Sequence, residues 1–325
     1  PDHTGIFFHP LSAYSRFSID RILAPFTIFF KIVNLRPEIL IICTHELLWM
    51  VLLAKIFPGC KVIYDVRENY LRNILHTKAF PRIFRAFIAG YVRLKEWITS
   101  PLITIFMLAE DGYAKELKFI GKNYVTIENK VKRVVLPALE KWSAADGNIH
   151  LLFSGTLSPT TGVFVAIDLA TKLHAHDARV RLHIIGFSPM KTVQEEIINV
   201  ILDKPYILFE ESSEPVPHVE ILKAVQTADA GIIAYPQNLS TANTVPTKLY
   251  EYLGYRLPIL LIDHHPWVEI CKRYNAAITF QPGRVEAIPI LAALSETAFY
   301  KTAPVNVFWE YEEEKFLHTI DAVLK

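Results

Sequence analysis

The sequence predicts an α/β protein with two parallel-sheet domains. Short apolar runs typical of strands alternate with helical patterns along the whole chain, an order that favours parallel sheets. The chain has 325 residues, of which 51% are hydrophobic, and this is enough for two cores. The strand-loop-helix pattern restarts at His150, after a polar stretch. We therefore expect one domain at residues 1–145, a second at 146–306 and a closing helix at 307–325.

Five apolar runs predict strands in the first half, at residues 5–9, 37–43, 61–64, 103–108 and 124–127. Helical spacing predicts helices at residues 16–35, 47–57 and 81–98. His45 lies just beyond the second of these strands, and Arg67 and Glu68 lie just beyond the third. The carboxyl ends of parallel strands meet at the edge of a sheet where ligands bind, so these residues are candidates for a site. A lone histidine is more often structural, and that alternative stays open for His45.

The second half repeats the pattern, with strands predicted at residues 150–154, 181–185, 206–209, 229–235 and 258–262. Helices are predicted at residues 163–174, 219–228 and 309–325. The loop Gly155–Gly162 joins the first strand to the first helix. Backbone N–H groups at such a position can hold a phosphate. The loop has neither of the common glycine-rich phosphate motifs, so it is a weak predictor by itself.

Residues 240–261 form the stretch around which we expect the site to be organised. A helix can begin at Thr244 or Val245, because Pro246 is tolerated in a first turn, and it can end at Gly254. The free N–H groups and positive dipole end at its start favour an anion. Lys248 and Glu251 lie on one face of this helix, and together they suit an anion joined to a hydroxyl-rich group. The alternative is an ordinary surface pair at i and i+3.

The net charge of +1 conceals an uneven distribution. Residues 1–145 carry 20 Lys and Arg against 12 Asp and Glu, a balance of +8, which leaves −7 for the remainder. A basic half suits an anionic partner, such as a phospholipid surface or a phosphorylated acceptor. Chance distribution of surface charge is the alternative. The basic and aromatic helix at 81–98 is either a membrane-surface element or a helix packed on the sheet.

Other patterns exclude some classes of protein. No run of about 18 uncharged apolar residues is present, so no spanning helix is expected. The three cysteines form no C-x-x-C pair, which favours a reducing, cytosolic setting. Asp263-His264-His265 lacks a third ligand at close spacing, so we interpret it as a surface turn and expect no metal. No Ser-His-Asp signature and no nucleophilic cysteine context is evident.

The order of these motifs resembles the GT-B glycosyltransferases, specifically the retaining nucleotide-sugar transferases of family 4, or group 1. LLFSGTLSPTTGV is similar to the first strand and glycine loop of the donor domain, and TVPTKLYEYLGYRLPIL to the helix whose glutamate holds the donor ribose. PEILIICTHE and KVIYDVRENY resemble the strands beside the acceptor cleft, and FWEYEEEKFLHTI the helix that crosses back to the first domain. The resemblance implies two Rossmann-like domains facing across a cleft. The family begins with elements that precede this segment, so we expect the first domain to be incomplete.

The resemblance also implies roles for individual residues. Glu251 matches the glutamate on the ribose, Asn243 stands where the family has a second acid, and His45 matches the histidine beside the transferred sugar. The family's phosphate-binding Arg and Lys fall on Thr156 and Thr161, a departure that leaves Lys248 as the replacement cation. The expected donor-binding residues are Gly155, Thr156, Thr161, Gly186, Thr244, Pro246, Thr247, Lys248 and Glu251. Catalytic roles are expected for His45, Asn243 and Lys248. Arg67 and Glu68 are expected on the acceptor side.

The function implied by the resemblance is transfer of a hexosyl group from a nucleoside-diphosphate sugar to a hydroxyl acceptor, with retention and without a metal or other cofactor. A saccharide or lipid-linked saccharide of polysaccharide biosynthesis is the expected acceptor, at the cytoplasmic face of a membrane whose anionic surface the protein contacts. No nucleic-acid partner is expected. Two alternatives stay open: a nucleotide-sugar epimerase on the same scaffold, and a non-catalytic scaffold, which the two threonines and Asn243 favour.

Overall fold

The computed structural model of the chain describes residues 5–10, 19–54, 59–76, 80–212, 214–237, 242 and 244–325. These residues form two compact units. The first unit consists of Pro1–Ile127 together with Phe316–Lys325, and the second is Glu128–Lys315. Residues 128–145 thus belong to the second unit, and the last helix divides its residues between the two.

Within its described residues, the first unit contains a parallel sheet of four strands in the order β1-β2-β3-β4. The strands are β1 (Ile39–Ile42), β2 (Lys61–Val66), β3 (Ile105–Leu108) and β4 (Tyr124–Thr126). The helices are α1 (Ile19–Leu35), α2 (Val51–Ala54), α3 (Tyr70–His76), α4 (Arg82–Thr99) and α5 (Tyr113–Glu116). The core forms because β2 is buried along most of its length and lies between two neighbours.

Two expectations for the first half are wrong in detail. Residues 6–9 have no regular secondary structure, and the side chains of Phe7 and Phe8 are exposed. An apolar run of three residues shows no periodicity, and a strand also needs a hydrogen-bonded neighbour. The helix expected at 47–57 begins instead as a 3-10 helix, His45–Met50, before α2. The Thr44 hydroxyl caps it by accepting a hydrogen bond from the Glu46 N–H at 3.4 Å.

The second unit contains, in its described residues, six parallel strands in the order β10-β9-β8-β5-β6-β7. They are β5 (Ile149–Thr156), β6 (Val180–Phe187), β7 (Ile207–Glu210), β8 (Ala230–Ile233), β9 (Ile259–Ile262) and β10 (Ala277–Phe280). Strand β5 lies between β6 and β8, so the direction of winding reverses there. In open parallel sheets this switch point is where ligands bind, beyond the carboxyl ends of the strands.

Helices cover this sheet, and its central strands are buried runs of Val, Ile and Leu. The helices are α6 (Trp142–Asp146), α7 (Val163–His176), α8 (Lys191–Ile201), α9 (His218–Thr227), α10 (Thr247–Gly254), α11 (His265–Lys272), α12 (Ala287–Glu296) and α13 (Trp309–Leu324). The prediction of an α/β chain with two parallel sheets is confirmed. Seven of the described helices and strands were not predicted: α3, α5, α6, α8, α11, α12 and β10. The described residues include no helix long and apolar enough to cross a membrane.

The polar stretch after β4 is tied into the second unit at its beginning. Glu312 is fully buried, and its carboxylate accepts a hydrogen bond from Lys130 Nζ at 2.7 Å and one from the Glu128 N–H at 3.1 Å. The Trp309 N–H donates to the Val131 carbonyl at 2.8 Å. A buried carboxylate is stable only when it is paired and hydrogen-bonded. The segment is therefore anchored to α13 and is not a free linker.

The three cysteines are all unpaired thiols. Cys271 is buried, and burial raises its pKa to about 12. Burial also raises the pKa of the half-buried Cys43 and of Cys60. Because the thiolate is the reactive form, none of these thiols has the low pKa of a nucleophilic cysteine.

Candidate functional site

The candidate site lies at the switch point of the larger sheet and depends on close backbone packing. Gly155 and Gly186 are opposite each other in β5 and β6. A Cβ atom on Gly186 would lie 1.9 Å from the Gly155 carbonyl oxygen, and one on Gly162 would lie 1.9 Å from the Ala234 carbonyl oxygen. Gly155 itself has a φ of +93°, a conformation that favours glycine. Side chains at these positions would displace the loops that shape the site.

Lys248 is the most unusual residue of this site. It is one residue into α10, whose N-cap is Pro246, and its side chain is buried, with 6% exposure. The ammonium lies 4.4 Å from the ring centre of Phe153 and would be 3.5 Å from a Cβ on Gly155. Among the described residues, Lys248 Nζ has no hydrogen-bond partner. An unpaired buried charge is costly, so an anion next to this ammonium would be stabilising.

Burial lowers the pKa of Lys248 to about 8, and the nearby charge of Glu251 only partly opposes this effect. The direction follows from desolvation, which disfavours the charged form of a lysine. A phosphate next to the ammonium would favour the charged form and raise this pKa again. Burial of Lys248 thus favours the binding of an anion at this position.

Glu251 does not form the expected surface pair with Lys248, so that alternative is wrong. Its carboxylate accepts a hydrogen bond from His218 Nε2 at 2.7 Å. His218 is the first residue of α9, after the N-cap Pro217. Sequence reasoning missed His218 because it lies 33 residues before its partner and in a different helix. A carboxylate held this way at the edge of the site can accept hydrogen bonds from hydroxyl groups.

The loop after β5 is held by its own hydroxyl groups. Ser158 and Thr161 form a capping box: the Thr161 N–H donates to Ser158 Oγ at 3.1 Å, and the Ser158 N–H donates to Thr161 Oγ1 at 3.0 Å. Thr161 Oγ1 also donates to the Thr156 carbonyl at 2.7 Å. The Thr161 hydroxyl therefore orders the loop, whereas the Thr156 side chain is exposed. Neither threonine supplies the positive charge that a lysine or arginine gives at the matching positions of the family that the sequence resembles.

The remaining predicted donor residues lie at the start of α10. The Thr244 carbonyl accepts a hydrogen bond from the Trp267 indole at 2.7 Å. Thr247 Oγ1 accepts one from Asn129 Nδ2 at 3.3 Å. These bonds fix the entry to α10 directly before Lys248. Asn243 lies outside the described residues, so the structure does not place it.

The interpretation of residues 263–265 as a surface turn is wrong for the middle residue. His264 is buried and stacks on the Trp267 ring with centroids 3.8 Å apart. Asp263 and His265 are exposed on either side of it. His264 is the N-cap of α11, and burial of its ring on an aromatic neighbour explains why a histidine stands there.

In the first unit, His45 begins the 3-10 helix after β1 and is only partly exposed. Lys95, buried in α4, donates from Nζ to His45 Nδ1 at 3.4 Å. The imidazole packs edge-on against Tyr70, with centroids 4.5 Å apart. A lysine donor at Nδ1 requires that nitrogen to be an acceptor, so a neutral His45 carries its proton on Nε2. The sequence did not single out Lys95.

The two predicted acceptor residues of the first unit are held by local bonds after β2. Arg67 Nε donates to Asp65 Oδ2 at 2.8 Å, and most of the Arg67 side chain is exposed. Glu68 Oε2 accepts a hydrogen bond from Asn73 Nδ2 at 2.6 Å. Both side chains lie beyond the carboxyl end of the strand, as predicted. Their role toward an acceptor stays a prediction.

No family model and no curated protein matches the sequence. Solved structures do match its fold. Sucrose-phosphate synthase from Thermosynechococcus elongatus is 12% identical, with a TM-score of 0.66 over 97% of this chain and 81% of that one. Anabaena HepE in complex with UDP is 12% identical, with a TM-score of 0.66 over 91% of this chain and 82% of HepE.

TarM is a third similar structure, 16% identical, with a TM-score of 0.62 over 91% of this chain. The chain spans only 57% of the length of TarM and 54% of the length of pneumococcal GtfA. At these identities the similarity shows the fold alone. Two parallel sheets in the order described, with matching glycosyltransferase structures over nearly the whole chain, give the conclusion that this protein has the GT-B fold.

Proposed function

We propose that the protein is a glycosyltransferase that binds a nucleoside-diphosphate sugar at the carboxyl ends of β5 and β8. The observation that carries the proposal is the buried ammonium of Lys248, which has no hydrogen-bond partner in the described part of the chain. It lies next to Gly155, at the switch point where parallel sheets bind their ligands. A diphosphate supplies the missing negative charge, and the start of α10 adds backbone N–H donors.

Glu251 supports the second part of this ligand. It is one turn beyond Lys248 on the same helix face, and its carboxylate is already oriented by His218. We assign it to the ribose hydroxyls. Two of the similar structures contain ligands of this kind: HepE was solved with UDP, and pneumococcal GtfA with UDP and GlcNAc.

For the reaction, a nucleoside diphosphate is already a good leaving group, so the protein mainly positions the acceptor and stabilises the departing charge. Lys248 stabilises that charge directly. We assign His45 and Asn243 to the transferred hexosyl group, and Arg67 and Glu68 to the acceptor. We further propose retention of configuration without a metal, a saccharide or lipid-linked saccharide as acceptor, and a cytosolic setting in which the three cysteines remain thiols.

Calorimetric titration with UDP and other nucleoside diphosphates tests the donor site. Lys248→Met removes a charge-assisted contact of about 1.5 to 3 kcal/mol, so we expect affinity to fall about 10- to 150-fold. Lys272→Met, on the exposed side of α11, is the matched control and should bind like the wild type. Glu251→Ala should weaken binding of the whole nucleotide, because the ribose loses its acceptor.

The alternatives predict different outcomes. A non-catalytic scaffold would bind none of the nucleoside diphosphates, and a thermal-shift panel would then show no stabilisation of the folded state. An epimerase would convert the donor sugar in the absence of any acceptor. Consumption of the donor only when an acceptor is present supports the transferase.

A further inference from the structure

Helix α4 buries polar residues and turns several large apolar side chains outward. Its buried positions hold Ala89 and Val92 together with Lys95, Glu96 and Thr99. Its exposed positions carry large apolar side chains: Ile83, Phe84, Phe87, Leu94, Trp97 and Ile98. Residues 83, 87, 94 and 98 are spaced by one to four turns and so share one face. Surface helices normally turn the apolar stripe toward the core.

Bonds on the buried face fix this orientation. Lys95 Nζ donates to His45 Nδ1 at 3.4 Å. The Glu96 carboxylate accepts a hydrogen bond from the Tyr64 hydroxyl at 3.4 Å and lies 3.3 Å from Arg93 Nη1. Turning the helix about its axis would place Lys95 and Glu96 in water and break their bonds to His45 and Tyr64. The outward position of the apolar residues is therefore a requirement of the fold.

The charge of the exposed face indicates what covers it. Arg82 is the one charged residue among the exposed positions of α4, and none of those positions is acidic. Arg85 adds a second cation in the same turn, with its Nε bound to the Phe80 carbonyl. An apolar, aromatic face with arginines and no carboxylates suits the interface of an anionic bilayer, where rings enter the acyl boundary and cations meet headgroups.

A second helix extends the apolar surface. In α1, Leu23, Phe26 and Phe30 are exposed and recur at helical spacing. Both α1 and α4 pack against the 3-10 helix His45–Met50. Trp49 in that helix donates from its indole N–H to the Tyr91 hydroxyl of α4 at 3.1 Å. The first unit thus has exposed apolar residues on two helices that share a neighbour. Patches of this kind mark interaction sites.

We propose that the outward face of α4 docks the first unit onto an anionic lipid bilayer, with the helix lying in the plane of the membrane. The helix has 18 residues and is about 27 Å long, at about 1.5 Å per residue. This inference does not depend on the proposed function, because vesicle binding requires no nucleotide and nucleotide binding requires no vesicle.

Cosedimentation of the full chain with vesicles tests the proposal. We expect binding to phosphatidylcholine vesicles that contain phosphatidylglycerol, and weaker binding to phosphatidylcholine alone. The double variant I83E/F87E should bind the anionic vesicles at least about ten-fold more weakly, the equivalent of losing one large apolar contact. R82E should weaken binding mainly to the anionic vesicles.

The control variant L202E/I288E replaces two exposed apolar residues of the second unit, where Leu202 is 83% and Ile288 68% exposed. It should bind vesicles like the wild type. Equal binding by I83E/F87E and the wild type would overturn the proposal, as would a wild type that binds neither vesicle. Light scattering adds a further check: a wild-type dimer that I83E/F87E dissociates would show that a second copy covers this face. Circular dichroism and thermal unfolding of I83E/F87E confirm that the variant is folded.

Discussion

Helix α10 in the second unit and helix α4 in the first each bury a lysine, but among the described residues only the lysine of α4 has a hydrogen-bond partner. Lys95 in α4 donates to His45 and has the carboxylates of Glu46 and Glu96 nearby. Lys248 in α10 faces aromatic rings, and no partner for its ammonium is found in the described parts of the chain. Burial lowers the pKa of both lysines. The difference supports the proposal that Lys248 binds a ligand, whereas Lys95 holds neighbouring elements of the first unit together.

The largest expected effect on stability comes from substituting a glycine in the close backbone packing near Lys248. The same substitution on the open surface of α4 serves as the comparison. Gly186→Ala would place a Cβ 1.9 Å from the Gly155 carbonyl oxygen, whereas a Cβ on Gly90 of α4 has no neighbour within 4 Å. We expect Gly186→Ala to lower the free energy of unfolding by more than about 3 kcal/mol, or to prevent folding. Gly90→Ala should raise it by about 0.5 to 1 kcal/mol. Chemical denaturation measures both, and a Gly186→Ala variant as stable as the wild type would show that the two strands can separate freely.

The second effect tests the two lysines directly. Lys248→Met removes a buried charge that has no hydrogen-bond partner among the described residues. The pKa of Lys248 is about 8, against an ordinary value of 10.5. This difference corresponds to a gain of up to about 3 kcal/mol in the free energy of unfolding of the unliganded variant. Lys95→Met removes a charge that has partners, so the change should stay within about 1 kcal/mol. Denaturation of the unliganded variants at neutral pH is the measurement. An equal gain from both substitutions would remove the distinction between the two cations.

The third effect is the pH dependence of that gain. Between pH 8 and 10.5 the unfolded chain still binds a proton at Lys248 that the folded protein has lost. The wild type therefore becomes more stable relative to Lys248→Met as the pH rises through this window. The difference in free energy of unfolding between the two proteins should have its full value below pH 8 and be close to zero above pH 10.5. A difference that does not vary with pH would show that the pKa of Lys248 is not depressed.

The smallest effect concerns His218, which is about half exposed and orients Glu251. His218→Gln keeps a donor in place but removes the ring, so we expect UDP affinity to change by less than about five-fold, or about 1 kcal/mol. Glu251→Ala should have the larger effect. Titration calorimetry compares the two variants. If His218→Gln weakens binding as much as Glu251→Ala does, then His218 contacts the nucleotide itself.

Much of the architecture was predictable because short-range sequence patterns determine it. Apolar runs such as Ile259–Ile262 predict buried strands, and Gly254 marks the end of α10 correctly, although the helix begins at Thr247 and not at Thr244 or Val245. Elements without such signals were missed. Strand β10 reads AITF, with only its last residue buried, and α12 is apolar on most sides, so neither shows a clear period.

The environment of the site was not predictable in the same way. Whether Lys248 is exposed or buried depends on Phe153 and Gly155, which lie more than ninety residues earlier and meet it only because β5 occupies the middle of the sheet. For α4, the sequence shows two faces but not which one is turned inward. The partners of Lys95 and Glu96, namely His45 and Tyr64, decide that orientation, and they come from other elements.

The raised pKa values of the three native thiols have a practical consequence. At neutral pH they react slowly with alkylating reagents, since little thiolate is present. A cysteine introduced at an exposed position such as Phe87 would therefore be labelled much faster than the others. An environment-sensitive fluorophore attached there would report by its emission colour whether that side of the molecule leaves water when lipid is added.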